Sequence, residues 1–399
     1  MQKRNATTSV LITAVAAFGF LAVACQAPTL AGSPIRIGLV APLSGDSATA
    51  GEAVERGMLL AIDELNKSGG VLGRPLEVVA RDVANDPEAG VTALRELAAQ
   101  QHIVALFGSK YSPVIMAQVD ALHDLQVPLI DVGGSLQKIV ENGHTPNYAF
   151  RVSMNDADAN EFLARYAHEV VGSRRVAIVA VNNLWGEANA ASLADWLTRQ
   201  GTPATGSERI NEGATDVRAQ LARLRATDAD ALILAGSAPE GAAVVRGLVT
   251  LGWKVPVLTT WSVSGGDFVE RAGVENTEGV LTLQTFSFFG QLSPKAASVL
   301  QAYHTRFGTR STDEVPNALS VAQAYDGLHM LAQAIQKAGS TDGPRVRDAL
   351  EQLDPQDGLV AHYAPPFTAT NHEALRADSY LMAIWQGGQL LPAPQPRLR

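Results

Sequence analysis

One cysteine, Cys25, stands in 399 residues. A disulfide needs two thiols and a cysteine-based zinc site needs more, so neither can form within the chain. Charge is sparse, at 18% of residues, and the balance is acidic: 31 Lys and Arg against 40 Asp and Glu give −9. Phosphate neutralisation needs grouped Lys and Arg, and no such group occurs, so nucleic acid is not an expected partner. The eight histidines are scattered and none has H-x-x-x-H spacing. No metal is expected on that pattern, and no cofactor. Neither G-x-S-x-G nor G-x-x-x-x-G-K-[ST] appears, which removes the usual signals of a nucleophile elbow and a P-loop. Hydrophobic residues reach 46%, ordinary for a globular chain. At about 100–200 residues per domain, the length predicts two or three domains.

Long apolar runs are also scarce. Residues 10–24 form one, behind a positive start at Lys3 and Arg4. Its 15 residues suit a signal peptide and are too few for a confident membrane span. It ends Leu21-Ala22-Val23-Ala24-Cys25, which resembles a bacterial lipobox with Cys25 as the lipidated first residue of the mature protein. Plain secretion is the alternative. Residues 1–24 are therefore expected to leave as a signal, and 25–34 to form a lipidated tether. A soluble body held at a membrane surface, periplasmic or on the cell surface, is the expected product.

The rest of the chain alternates. Residues 35–42 (IRIGLVAP), near 76–79, 103–107 and 127–132 read as short apolar strands, buried on both faces of a parallel sheet. Helical spacing fills 51–66, 86–99 and the segment after Ser112-Pro113, with Ser112 as N-cap and Pro113 at the first turn. The rhythm repeats: strands at 175–181, 231–235 and 255–258, helices at 186–200, 214–226 and 239–251. Later helices fall at 294–307, 316–338 and 344–353, with a closing hairpin around Gly387-Gly388. Strands alternating with helices imply βαβ units, and their number predicts two α/β lobes with a break near Asn155–Asp158.

Loops at the carboxyl ends of such strands are where ligands of open α/β sheets sit. The first strand ends in Ala41-Pro42-Leu43-Ser44-Gly45-Asp46. The third ends in Gly108-Ser109-Lys110-Tyr111-Ser112, where Ser112 and a helix start can receive an anion or simply serve the helix. Gly133-Gly134-Ser135 follows the next strand and offers close backbone approach and a second hydroxyl. Together these turns make a candidate carboxylate clamp. Gly45-Asp46-Ser47 also echoes GDS esterases, and Asp120 and His123 form a D-x-x-H. That pair lies mid-chain on a helix, away from the C-terminal position those hydrolases use, so the chain reads as a binder and not an enzyme.

The blocks IRIGLVAPLSG, ERGMLLAIDELNKSGGVLGRPLEVVARDVANDPEAG, GSKYSPVIMAQVDALHDLQVPLIDVGGS, YAFRV, LWGEA and AQAYDGLHMLAQAI resemble the periplasmic branched-chain amino-acid-binding proteins. These are substrate-binding subunits of ABC importers with the type I periplasmic-binding fold, and the likeness runs over essentially the whole mature chain. It implies two Rossmann-like lobes joined by three crossovers near Arg151, Phe286 and Leu359. Lobe 1 would then be 35–151 and 286–359, and lobe 2 would be 152–285 and 360–399. It implies that Ser112 and Ser135, with the Gly133 backbone, hold a ligand carboxylate, and that Trp185 walls the cleft. It implies permease subunits and a small-molecule ligand, an amino acid or related carboxylate, as partners.

Three positions depart from the family. Ala50 stands for an aromatic, Ser237 for a tyrosine, and Trp261 falls where an ammonium-binding glutamate is expected. No Asp or Glu occurs from Val255 to Gly266. An ammonium buried without a carboxylate is costly. The expected ligand is thus a carboxylate without a free α-amine, gripped by Trp185 and Trp261, unless Asp46 or Asp267 supplies the missing charge. A ligand-sensing or regulatory envelope lipoprotein of the same fold is the other function the pattern allows.

Overall fold

The computed structural model describes residues 32–395 apart from Ser109. The leader, Cys25 and most of the tether lie outside the described residues. In the first lobe, β1 (Ile35–Ala41), α1 (Ala48–Lys67), β2 (Leu76–Asp82), α2 (Pro87–Glu96), β3 (Leu106–Gly108), α3 (Ser112–Leu125), β4 (Leu129–Asp131) and β5 (Ala149–Arg151) follow in turn. The five strands are parallel, in the order β2-β1-β3-β4-β5. β3, β4 and β5 are buried throughout, as expected for strands covered on both faces. The edge strand β2 (LEVVARD) is mostly half-buried and carries the polar residues.

The second lobe repeats the plan: α4 (Asp156–Tyr166), β6 (Val176–Val181), α5 (Leu184–Arg199), β7 (Gly206–Ile210), α6 (Arg218–Arg225), β8 (Ala231–Ala235), α7 (Ala238–Thr250), β9 (Val257–Thr259), α8 (Phe268–Ala272), α9 (Val274–Thr277) and β10 (Leu281–Gln284). The chain then returns to the first lobe as α10 (Pro294–Phe307), α11 (Ala318–Ala338) and α12 (Gly343–Leu350), with α11 packed on α1. A small hairpin, β11 (Gln356–Asp357) and β12 (His362–Tyr363), follows. Finally β13 (Leu381–Gln386) and β14 (Gln389–Pro392) add antiparallel to β10, giving the order β14-β13-β10-β9-β8-β6-β7.

The backbone passes between the sheets after β5, after β10 and before β13. The last passage falls later than the expected Leu359. Arg151 N still donates to His372 O (2.9 Å), and Ala374 N to Arg151 O (2.9 Å), so residues 372–374 remain beside β5. Three elements start elsewhere than their sequence suggests. α6 begins at Arg218, because Ala214 closes a turn on Asn211 instead. α11 begins at Ala318. α3 begins at Ser112 itself, with Tyr111 before it and no side-chain cap. Strands β5, β7 and β10 are too short, or too polar at the sheet edge, to show a period.

Candidate functional site

Both sheets share one strand order. β2-β1-β3-β4-β5 and β7-β6-β8-β9-β10 each reverse direction beside the first strand of the lobe, and the crevice at such a switch point is where ligands bind. The two carboxyl edges face each other across a cavity of about 340 Å3, a volume typical of small-molecule sites. Eight strands supply its walls. From lobe 1 come Asp46 and Ser47 after β1, Asn85 after β2, Lys110, Tyr111 and Ser112 after β3, and Ser135 after β4. From lobe 2 come Asn183 and Trp185 after β6, Glu212 after β7, Ser237 and Glu240 after β8, and Trp261 and Ser262 after β9. Close packing at the first turns makes this possible. A Cβ on Gly186, in the LWGEA block, would meet Val181 O at 1.9 Å, and one on Gly51 would meet Pro42 O at 1.9 Å. Each lobe thus seats a helix start directly on its first strand's end.

Of the residues anticipated from sequence, Asp46, Ser112, Ser135, Trp185, Ser237 and Trp261 all line this cavity. Gly133 does not. Its N–H and that of Gly134 donate to Asp131 Oδ1 (3.1 and 2.7 Å), so the backbone donors expected there serve the turn. The Ser135 N–H is engaged too. It donates to Ser112 Oγ (3.1 Å), with Leu136 N at 3.4 Å, so Ser112 joins the two turns instead of capping α3. The Ser112 hydroxyl accepts both bonds and keeps its proton for another acceptor.

Ser135 is also committed. Trp185 Nε1 donates to Ser135 Oγ (3.0 Å) and to Asp156 Oδ1 (3.1 Å), and all three residues are buried. Burial pushes the Asp156 carboxyl above its ordinary range, opposed by bonds from Ser135 and Trp185. Trp261 meets Trp185 edge-on, with ring centroids 6.2 Å apart. The two indoles form one corner of the wall and also belong to the continuous core.

Acids reach the cavity by routes the 255–266 segment does not reveal. Glu240 Oε2 accepts from Ser237 N (2.9 Å) and Oε1 from Gly213 N (2.7 Å). Glu212 accepts from Tyr111 Oη (2.6 Å) and from Asn183. Burial, then Glu212, holds the Tyr111 phenol well above its usual value. Asp46 pairs with Arg271 (2.7 Å), which also bonds Asp267 (2.6 Å). Neither aspartate is therefore an unengaged partner for a ligand cation. Ala50 is buried within α1.

Lys110 is the cation of the cavity wall, and sequence reasoning passed over it. Its Nζ donates to Ser262 O across the cleft (3.1 Å). Burial pushes its pKa down to about 8, against the pull of Glu240. A visible signal existed: a lysine directly after a strand end in a chain poor in charge. Ser237-Ala-Pro-Glu240 likewise spells an S-x-x-E capping box, which places Glu240 at the helix start.

Among the described residues, no cluster of three or more His, Cys, Asp or Glu is placed to hold a metal. No histidine lines the cavity. Ser47 Oγ accepts from Asn85 (3.0 Å), and Asp120 pairs with His144 (3.0 Å) on the far side of lobe 1, so GDS and D-x-x-H do not converge.

Residues 34–389 match the family model described as periplasmic binding protein. The chain is 27% identical to the Leu/Ile/Val-binding protein BraC3 of Rhizobium johnstonii, over 91% of this chain and 95% of that one. The fold is similar to the isoleucine complex of the branched-chain amino-acid transporter substrate-binding protein LivJ from Streptococcus pneumoniae. That match has a TM-score of 0.78 and 23% identity, covering 90% of this chain and 97% of the other. It is equally similar to a solute-binding protein of an ABC transporter from R. palustris in complex with 4-hydroxybenzoate. There the TM-score is 0.79 and the identity 19%, covering 92% and 96%. With two switch-point sheets edge to edge around one cavity, and a family match over nearly all of the described residues, the chain belongs to the periplasmic binding proteins and has their type I fold.

Proposed function

We propose that this protein captures a small organic carboxylate between its lobes and delivers it to the permease of an ABC importer. The observation that carries this is the cavity itself, walled by loops from both sheets and rimmed by cross-lobe contacts. Tyr111 reaches Glu212, Lys110 reaches Ser262, Trp185 reaches Ser135 and Asp46 reaches Arg271. Each forms only when the lobes are together, so a ligand that adds contacts in that arrangement shifts the population toward it. The Ser112 hydroxyl, with its proton uncommitted, is suited to a carboxylate oxygen, and a charge-assisted bond there contributes about 1.5–3 kcal/mol. Relatives that bind leucine, isoleucine and valine, and a structural neighbour holding 4-hydroxybenzoate, support a small carboxylate as the ligand class. Cys25 would tether the body to a membrane as a lipidated first residue.

The test is native purification followed by mass spectrometry of the released solute, with calorimetric titration of that solute onto the stripped protein. A carboxylate that rebinds one-to-one is the expected result. A protein that carries nothing and binds no carboxylate in titration would sink the proposal.

A further inference from the structure

We infer that Lys110 is a specificity-determining residue that makes the cleft select ligands of net negative charge over zwitterionic amino acids. This rests on the carboxylate-capture function proposed above and deepens it. The geometry is a matter of donors and acceptors. An ammonium has three donors and no acceptor. One donor of Lys110 goes to the Ser262 carbonyl oxygen (3.1 Å), a neutral partner. Among the described residues Lys110 joins no ion pair, and it lines the cavity beside Ser112. Two N–H groups and a positive charge therefore remain for whatever occupies the space.

The acids of the wall are more fully engaged. Glu240 has each oxygen held by a backbone N–H, Gly213 and Ser237. Glu212 accepts from Tyr111 and Asn183 on the same oxygen, Oε1. Asp46 is held by Arg271. An incoming ammonium finds Glu240 taken up by backbone donors and Asp46 already matched by Arg271, with Glu212 Oε2 as the acid oxygen left to it, whereas an incoming carboxylate meets open donors on Lys110 and Ser112. The expected turn donors at Gly133, Gly134 and Ser135 are already engaged, and beside them Lys110 and the Ser112 hydroxyl keep donors for an anion. Glu240 attracts the Lys110 charge without pairing with it, so part of the cost of sheltering that charge remains, and a bound anion relieves it. A ligand with its own ammonium relieves it less, because it brings a second positive charge into the same space. The favoured class is thus a carboxylate without an α-amine, carrying an apolar or aromatic body against Trp185 and Trp261.

The test is calorimetric titration of the full mature chain with four probes: 4-hydroxybenzoate, its neutral amide 4-hydroxybenzamide, 4-methylpentanoate and leucine. The last two share a carbon skeleton and differ by the ammonium. Wild-type protein is expected to prefer each anion over its partner by about tenfold or more. In Lys110→Met the preference for 4-hydroxybenzoate over the amide should collapse toward unity. That ratio reads charge alone, since a merely loosened cleft would weaken acid and amide together. Leucine binding as tightly as 4-methylpentanoate overturns the inference while leaving capture intact. An unchanged acid-to-amide ratio in Lys110→Met does the same. If none of the four binds, the charge of a solute released from native protein decides: an anion supports the inference and a zwitterion overturns it. A protein that binds none and carries none overturns the proposed function beneath it.

Discussion

Two cations, the fully buried Arg151 and the half-buried Lys110, define two different kinds of place in this molecule. Arg151 ends β5, where the chain leaves the first sheet, and its side chain is fully buried. Its Nε and Nη2 hold the two oxygens of Glu373, the Nε bond at 2.8 Å, and its Nη1 donates to Leu136 O (2.9 Å). Burial works against its charge, but Glu373 and the nearby Asp131 and Asp156 raise its pKa above the ordinary value. Lys110 has one carbonyl and a lowered pKa. A cation matched by a bidentate acid is a pin: here it fastens the loop that carries Ser135 to the returning strand segment. A cation left with open donors at a cavity wall is a receptor. The two differ in depth of burial and, more tellingly, in the count of partners.

Removing the pin should have the largest effect. Arg151→Met leaves Glu373 without its partner and is expected to lower stability by about 3–5 kcal/mol, read by urea unfolding. Lys110→Met should stay within about 1 kcal/mol of wild type, since it removes an uncompensated charge along with one bond to a carbonyl. Equal losses in the two variants would erase the distinction. Next in size is Ser112→Ala. It should weaken carboxylate affinity by about 1.5–3 kcal/mol in titration, because the hydroxyl proton is the part of that residue not used by the fold. Unchanged affinity there would leave Lys110 as the sole anion contact.

A pH series sharpens the same contrast. The folded-state pKa of Lys110, about 8, lies below its ordinary 10.5, so the folded protein holds this proton less tightly than the unfolded chain. The cost of burying the charge is fully present below about pH 8. It shrinks as pH rises from about 8 toward 10.5 and is gone above that. Wild type should gain stability relative to Lys110→Met across that window. Anion affinity should move the other way, flat below about pH 8 and falling above it as the ammonium is lost. The charged and titratable neighbours at the wall are Glu240, Glu212, Asp46 and Tyr111. A pH-independent affinity up to pH 10 would remove Lys110 from the site.

The fold was largely legible in the sequence because its central strands are continuous apolar runs and its helices are punctuated. Ile35–Ala41 and Ala231–Ala235 announce themselves by composition, and Ser293-Pro294 marks a helix start that the structure keeps, with Ser293 Oγ accepting from Ala296 N (3.1 Å). Short strands such as Ala149–Arg151 have no period to read. The site was legible as loops but not as bonds. Strand ends pointed to Ser112 and Ser135, and the family resemblance to Trp185, yet nothing local says that Ser135 N–H turns to Ser112 or that Trp185 closes on Ser135 from the other lobe. Those pairings span 23 and 50 residues; the first exists only once β3 and β4 lie side by side, and the second only once two sheets face each other. Lys110 was missed for the same reason. Its neighbour Ser262 lies 152 residues away, and a lysine in a loop looks like solvent-facing charge until the second lobe covers it.

Arg271 completes the comparison as a half-buried cation that is paired, with an exposed partner. It bridges Asp46 of lobe 1 and Asp267 of its own helix, and Asp46 keeps 63% of its side-chain surface in solvent. Such pairs contribute between about 0 and 1 kcal/mol. This one differs from an ordinary surface pair in joining the lobes, so its small energy falls entirely on the closed arrangement. Asp46→Asn should therefore leave unfolding unchanged and weaken ligand affinity by at most about fivefold, through faster opening and release. Raising salt to about 1 M, where the screening length is about 3 Å, should remove most of the difference between Asp46→Asn and wild type. It should touch the Lys110-dependent preference for anions far less, because that charge is sheltered between the lobes. If salt abolished both effects together, Lys110 would be as open to solvent as Arg271, and the contrast between receptor and latch would dissolve.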